Sequence, residues 1–215
     1  MLSFDAEVLS ALFAEINRSL WPWQIACLAA AFGAVGLAAT RHRLAGRAIG
    51  VILAGAWLAC GLVFHLHYFA ALSFTAPAFG VLFLAQAALL AWSLVLRGGI
   101  RFAVGRGASA WFGFFCIATA LVLLPLLAGL GEGWASARLF ALAPGPTALF
   151  TLGLLLLAEG RHPLHLLILP FVWTLIAGAT AWELGIAADL LQPALGSAAL
   201  ALALAHNRRA AQRPA

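Results

Sequence analysis

The sequence predicts an all-α integral membrane protein: a bundle of seven transmembrane helices, N-terminus outside and C-terminus in the cytoplasm. Three observations carry this reading. The 215 residues are 65% hydrophobic and only 9% charged, with a mean hydropathy of +1.04. A soluble domain holds about 25% charged residues, so a soluble globule is excluded. Second, seven apolar stretches follow one another, at roughly 21–40, 45–69, 77–96, 108–130, 140–158, 163–183 and 189–206. A helix needs ~20 such residues to cross a bilayer. Third, connections that carry arginine alternate with connections that do not.

All twelve basic residues are arginine. Arg41, Arg43 and Arg47 follow the first stretch, and Arg97, Arg101 and Arg106 follow the third. Arg161 follows the fifth, and Arg208, Arg209 and Arg213 follow the seventh. These ten share one side; only Arg18 and Arg138 fall on the other, with six of the seven acids. Arginine excess marks the cytoplasmic side of an inner membrane. A pI near 10.5 would suggest nucleic acid in a soluble protein, but here the arginines serve topology and no nucleic-acid partner is expected. Trp21, Trp23, Trp134 and Trp182 fall at the outer boundary, and Trp92 and Trp111 at the inner one, which is the expected aromatic belt. Trp57 and Trp173 lie mid-span.

The chain divides into an interfacial helix over 1–20, a transmembrane domain over 21–206 and a basic tail over 207–215. Asp5, Glu7 and Glu15 stand where a signal peptide would be positive. Leu2, Leu9, Leu12, Phe13, Ile16 and Leu20 share one arc of a helix, with Ser3 placed to cap it. This predicts an amphipathic helix lying in the membrane interface. Cys27, Cys60 and Cys116 fall at different depths and are read as small buried hydrophobes. Gly46, Gly50 and Ala54 make a small-residue face for a close helix contact.

The fifth stretch is interrupted by Pro144-Gly145-Pro146. Its helix is expected to begin at Pro146 and run to about Ala158, with non-helical backbone before it. Such backbone survives at membrane depth only when buried in protein or lining a cavity. Broken helices of this kind accompany transporter sites; the plainer alternative is an outer loop that dips and a short helix. Shifting the chain by 116 residues aligns Trp57 with Trp173 and Pro77-Ala78-x-Gly80 with Pro193-Ala194-x-Gly196. That suggests a 3+1+3 parallel repeat.

Polar groups inside spans are functional candidates by default. His65 and His67, two residues apart, face different directions. Glu183 ends the sixth span at a similar depth, so a His–Glu pair is one possible site, against two separately solvated groups. Gln86, mid-span, suits a hydrogen bond between helices or a contact to substrate. Asp189 suits a helix N-terminus. His162 and His165 are expected to reach the inner interface. The candidate substrate-binding set is His65, Gln86, Pro146, Thr147, Trp173 and Glu183. No metal site and no cofactor are expected. Retinal is excluded because a Schiff base needs a lysine, and there is none. The lone outer His pair shares one helix, against haem, and a single methionine disfavours copper. No G-x-S-x-G, H-E-x-x-H or P-loop occurs, so an enzyme is not expected.

Trp21-Pro22 with Gln24-Ile25, Phe64-His65, Phe79-Gly80 with Gln86, Pro146-Thr147 with Phe150-Thr151-x-Gly153, and Pro170 with Trp173 and Gly178 resemble an uncharacterised bacterial multi-pass membrane family, domain of unknown function 6064. That family's pattern has a Cys before the proline and a second Thr after the first. Gly145 and Ala148 stand there in this chain, which weakens any thiol or metal role at the turn. The resemblance implies a membrane protein, sometimes labelled a permease, and carries no established activity. The expected function is a permease-like transporter of a small solute or ion. The alternative is a non-transporting accessory or sensor subunit. The bilayer, and a membrane-protein partner or a second copy, are the expected partners.

Overall fold

The structure, a computed structural model, describes residues 4–40 and 42–212. Leu2 of the apolar stripe, the Ser3 cap and the topology markers Arg41 and Arg213 lie outside the described residues. The architecture is all-helical: α1 (Ala6–Ser19), α2 (Trp23–Thr40), α3 (Ala45–Ala71), α4 (Ala76–Leu96), α5 (Ala108–Glu132), α6 (Pro144–Leu155), α7 (Leu164–Leu184) and α8 (Ala187–Ala211). Six of these, α2 to α5 with α7 and α8, are long and apolar enough to cross a membrane.

The N-terminal helix starts two residues later than a Ser3 cap implies. Asp5 caps it, its carboxylate accepting the Val8 N–H at 2.9 Å. The apolar stripe is used on protein: Leu9, Phe13 and Ile16 are buried. They pack with Phe64 and Phe69 of α3 and with Ala181 and Ile186 beyond. Asn17 donates to the carbonyls of Ala135 and Ala137, at 2.8 Å each. These bonds tie α1 to the segment that follows α5.

The fifth stretch departs most from expectation. Its helix, α6, has 12 residues and so rises only ~18 Å, short of the ~30 Å hydrocarbon core. It starts at Pro144 rather than Pro146, because both prolines fit a first turn whose N–H groups have no helical partner. It stops at Leu155 rather than Ala158, because the next residues pair with an extended strand-like piece. Ala103 N–H donates to Leu157 O at 3.0 Å and Glu159 N–H to Arg101 O at 2.8 Å. As expected, the backbone before α6 is non-helical, and residues 137–143 are buried apart from a half-buried Leu139. Ala141 takes a positive φ of 67°. Thr147 serves this turn: its hydroxyl accepts from Ala141 N–H at 2.9 Å and donates to Ala143 O at 2.8 Å.

α6 is the axis of the bundle. All twelve residues are buried, and it touches α3, α5, α7 and α8. Trp57 of α3 donates to the Thr151 hydroxyl at 2.9 Å, and Thr151 donates to Thr147 O at 2.7 Å. Gly153 and Gly113 of α5 bring the two backbones together: a Cβ on either would lie 2.6 Å from the other's carbonyl oxygen. Gly46 and Gly50 are buried against the 94–100 segment, which is the close contact expected of the small-residue face.

Pro170 sits inside α7. It has no N–H, so the Leu166 carbonyl one turn earlier loses its helical donor. Gln86 of α4 supplies one, its amide donating to Leu166 O at 2.9 Å. A neighbouring side chain that satisfies a freed carbonyl is what makes such a proline tolerable at membrane depth. Gln86→Leu should therefore cost about 1–2 kcal/mol. Adding Pro170→Ala, which restores the missing N–H, should recover most of it. Thermal midpoints of the two single variants and the double variant check this, and simple additivity would refute it.

Three stretches, Cys60–Tyr68, Ala91–Leu96 and Thr119–Leu123, are π-helical. The first turns both Phe64 and His65 inward while His67 stays exposed. The α3–α4 and α7–α8 pairs both pack as neighbours. Gly80 meets the Gly61 carbonyl and Leu66, whereas Gly196 meets Thr174; Thr174 corresponds to Leu58, so the two contacts differ by about one to two turns.

At the end of the bundle where α8 finishes, His162 is buried, not at an interface as its sequence position suggested. Asn207 brackets its backbone, accepting from His162 N at 2.7 Å and donating to His162 O at 2.9 Å. Burial, and then the neighbouring His206, hold the His162 ring down to about 4 from 6.5. Unfolding lets it take a proton, so stability should fall as pH drops from about 6.5 to 4 and level off below. His162→Gln should flatten that limb of a Tm-against-pH curve measured in phosphate-free buffer.

Candidate functional site

The opposite end, where α5 finishes, α1 docks and α8 begins, holds a cavity of about 210 Å³. Phe4, Leu9 and Phe13 cover one side. Phe64 and Phe69 of α3, Phe79 of α4 and Trp173 of α7 make an aromatic wall, and the first turn of α6, Pro144–Pro146, supplies another.

The polar lining comes from Arg138, Asp189 and Gln192, with the hydroxyl residues Ser73, Thr75 and Thr180. Arg138 is only 3% exposed. Its Nη2 donates to both Glu132 oxygens, at 2.6 and 2.9 Å. Its Nη1 lies 3.1 Å from an Asp189 oxygen, close enough for an ion pair but not aligned as a hydrogen bond. The guanidinium carbon stands 5.4 Å from the Phe13 ring centre, a cation–π contact. Gln192 donates to the other Asp189 oxygen at 3.0 Å. Gly145 permits this layout, because a Cβ there would collide with the Gln192 amide.

Four buried polar atoms on cavity-lining residues have no hydrogen-bond partner: Arg138 Nε and Nη1, Gln192 Oε1 and Trp173 Nε1. Unpaired buried groups each cost about 1–3 kcal/mol and are expected to have a partner in use. Two carboxylates surround one guanidinium, so the cluster carries no net positive charge. The open atoms are three donors and one acceptor, and beside a cluster without net positive charge they match a neutral or zwitterionic head group better than a lone anion.

Of the residues singled out by sequence, Pro146 and Trp173 line this cavity. His65 stands just behind the wall. Its ring is fully buried, within 4.6 Å of Phe83 and 5.0 Å of Trp173, centre to centre, and neither nitrogen has a hydrogen-bond partner. It therefore makes no pair with Glu183, which is exposed on α7. Gln86 and Thr147 hold backbone, as described above. Trp57 and Trp173, equivalent in the apparent repeat, both pack on Phe83, at 4.4 and 4.8 Å. Asp189 lies in the first turn of α8, as expected of an acid at a helix N-terminus, and is also engaged by Arg138. Cys27, Cys60 and Cys116 are free thiols, and no group of three or more metal-ligating side chains occurs among the described residues.

Sequence reasoning missed Arg138 as a site residue. One signal pointed to it: with Arg18 it breaks the arginine bias, and it sits inside an apolar run beside the Pro144–Pro146 turn. A lone arginine there needs a carboxylate, and Glu132 and Asp189 were the acids in reach.

Fold and site together define an all-helical chain with six membrane-length apolar helices and an aromatic cavity floored by a buried charge cluster. The chain belongs to the Family of unknown function (DUF6064), whose model matches residues 6–213. No curated protein matches it, and neither does any solved structure.

Proposed function

We propose that the protein is a permease-like inner-membrane protein that takes one small solute into the cavity over Arg138. The observation that carries this is the set of unpaired buried polar atoms on Arg138, Gln192 and Trp173, which line a mostly apolar cavity. A 150 Å³ apolar cavity holds benzene, so about 210 Å³ suits a solute of roughly six to ten heavy atoms. The chemistry of the lining favours an apolar body with one donor–acceptor head.

Seven crossings fit the contacts. The 137–155 segment joins the end that holds Glu132 and Asp189 to the end where Glu159 meets Arg101. The arginine bias then puts the cavity outside and the C-terminus in the cytoplasm. The exposed Trp21, Trp23, Trp134 and Trp182 form the outer aromatic belt on this reading.

Native mass spectrometry of protein extracted gently from its own membrane tests the proposal. A lone chain with an adduct below about 200 Da is expected. Gly145→Leu, which drives a side chain onto Gln192, should remove the adduct while the fold survives. An adduct that persists in Gly145→Leu would refute the site.

A second reading, an accessory subunit, has one observation behind it. α2 packs along α3, and Gly33 and Gly36 on it have open space where a Cβ would be. A second helix could dock there. A stoichiometric partner in the same spectra would favour this reading over the permease.

A further inference from the structure

We propose that the end of the bundle opposite the aromatic cavity holds a phosphate-binding site, able to take a lipid headgroup phosphate or a free phosphate. It lies between the N-terminus of α5, the 159–162 turn and the last turns of α8, around a cavity of about 710 Å³.

The α5 N-terminus supplies backbone donors. Gly107 precedes it in extended conformation, and no side chain caps the first turn. Such a terminus carries a partial positive charge and points free N–H groups outward. It heads a helical run of 25 residues. Gly105, Gly107 and Ser109 line the cavity beside it, leaving room for a bulky oxyanion to reach the backbone.

Side chains supply the rest. Arg161 and Arg209 line the same cavity and are exposed at its mouth. Arginine is suited to phosphate because its planar donors match the oxygens. The His162 ring is 4% exposed, lines the cavity and has no hydrogen-bond partner at either nitrogen. His206 stacks on it at 4.4 Å between ring centres and donates from Nε2 to Gly160 O at 2.9 Å. This buried, unpartnered imidazole is the independent sign of a ligand, because a satisfied surface would leave no such group.

The ionisable residues on the lining are Glu159, Arg161, His162, His206 and Arg209. Two arginines against one carboxylate leave a net positive site even with both histidines neutral. Burial and the charge of His206 disfavour a proton on His162, while the Leu155 carbonyl weakly favours one. A bound phosphate offsets part of this, because an adjacent anion favours the imidazolium. The bound state should therefore take up a proton on His162 at a higher pH than the free state does.

The test uses full-length protein in nanodiscs of phosphatidylcholine, with histidine ring nitrogens labelled for NMR. Inorganic phosphate is titrated in, and in a second series phosphatidylglycerol replaces part of the lipid. A saturable shift of the His162 signals with inorganic phosphate would identify a free phosphate as the ligand. A shift seen only with phosphatidylglycerol would identify a headgroup. In either case the apparent titration midpoint of His162 should rise by about one pH unit, a tenfold change. The variant Arg161→Gln with Arg209→Gln should weaken binding at least tenfold, with Tm unchanged because both residues are exposed. No saturable shift in either series, or a shift undiminished in the double variant, overturns the proposal. The aromatic cavity's adduct is read separately, so the two sites can fail independently.

Discussion

Arg138→Met should destabilise the protein by about 3–5 kcal/mol, because it strands two partly buried carboxylates without their cation. Glu132 and Asp189 face Arg138 with side chains only 21% and 12% exposed. Neither has another cation within salt-bridge distance among the described residues. Arg138→Lys should recover part of the loss, since an ammonium can face one carboxylate but cannot span both as the planar guanidinium does. Combining Arg138→Met with Glu132→Gln and Asp189→Asn should return most of the stability, because the charge is then removed rather than orphaned. Chemical unfolding in a nanodisc, or the fraction folded after thermal challenge, gives the comparison. If the triple variant is as unstable as Arg138→Met, the charge cluster is not what holds α1, α5 and α8 at this end. The adduct measurement adds a functional reading. A triple variant that is stable but bare of adduct would separate binding from folding at the same residues.

The legible parts of the sequence were those set by one-dimensional physics. Long apolar runs become helices, and their boundaries come within a few residues of those found. The sides of Trp57 and Trp173 followed from their mid-span positions, and the divergence of His65 and His67 from helical geometry. What was not legible depended on partners distant in sequence. The break at Pro144–Pro146 was visible, but not that Ala103 and Arg101 would cut α6 off at Leu155. Gln86 was recognisable as interhelical, yet its partner became meaningful only once Pro170 was seen to free the Leu166 carbonyl. His162 looked interfacial beside Arg161, and only the bracket from Asn207, 45 residues on, puts it under the surface. Arg138 was weighed as a topology marker because arginines are counted that way. Its burial depends on α1 and α8 converging on it, which no local pattern states. The π-helical stretches leave no compositional sign, although one of them decides which way His65 faces.

Gly153 should be among the least replaceable glycines, with Gly46, which meets the Ile100 carbonyl oxygen. Gly153 faces Gly113 across the α5–α6 contact, where an added Cβ meets a backbone carbonyl at 2.6 Å on either side. Backbone oxygen on a packed helix cannot swing aside as a side-chain tip can, so the helices themselves must part. Overpacking of this kind costs about 1–3 kcal/mol for one methyl and more for a larger group. Gly153→Ala should therefore lower the thermal midpoint clearly, and Gly153→Val should prevent folding, since the β-branched side chain also strikes Cys116 and Ile117. Gly33→Ala and Gly36→Ala are the matched controls. Both lie in α2 with nothing within 4 Å of an added Cβ. Each gains up to about 1 kcal/mol of helix propensity over glycine. The contrast separates close packing from a general intolerance of glycine replacement. It also reports on the cavity, because α6 carries the Pro144–Pro146 wall at one end and the Gly113 contact further along. If α5 and α6 are forced apart, that wall should move with α6. Gly153→Ala should then weaken adduct retention although it lies outside the cavity, and retention unchanged at full occupancy would show that the α6 first turn is held independently of its packing on α5.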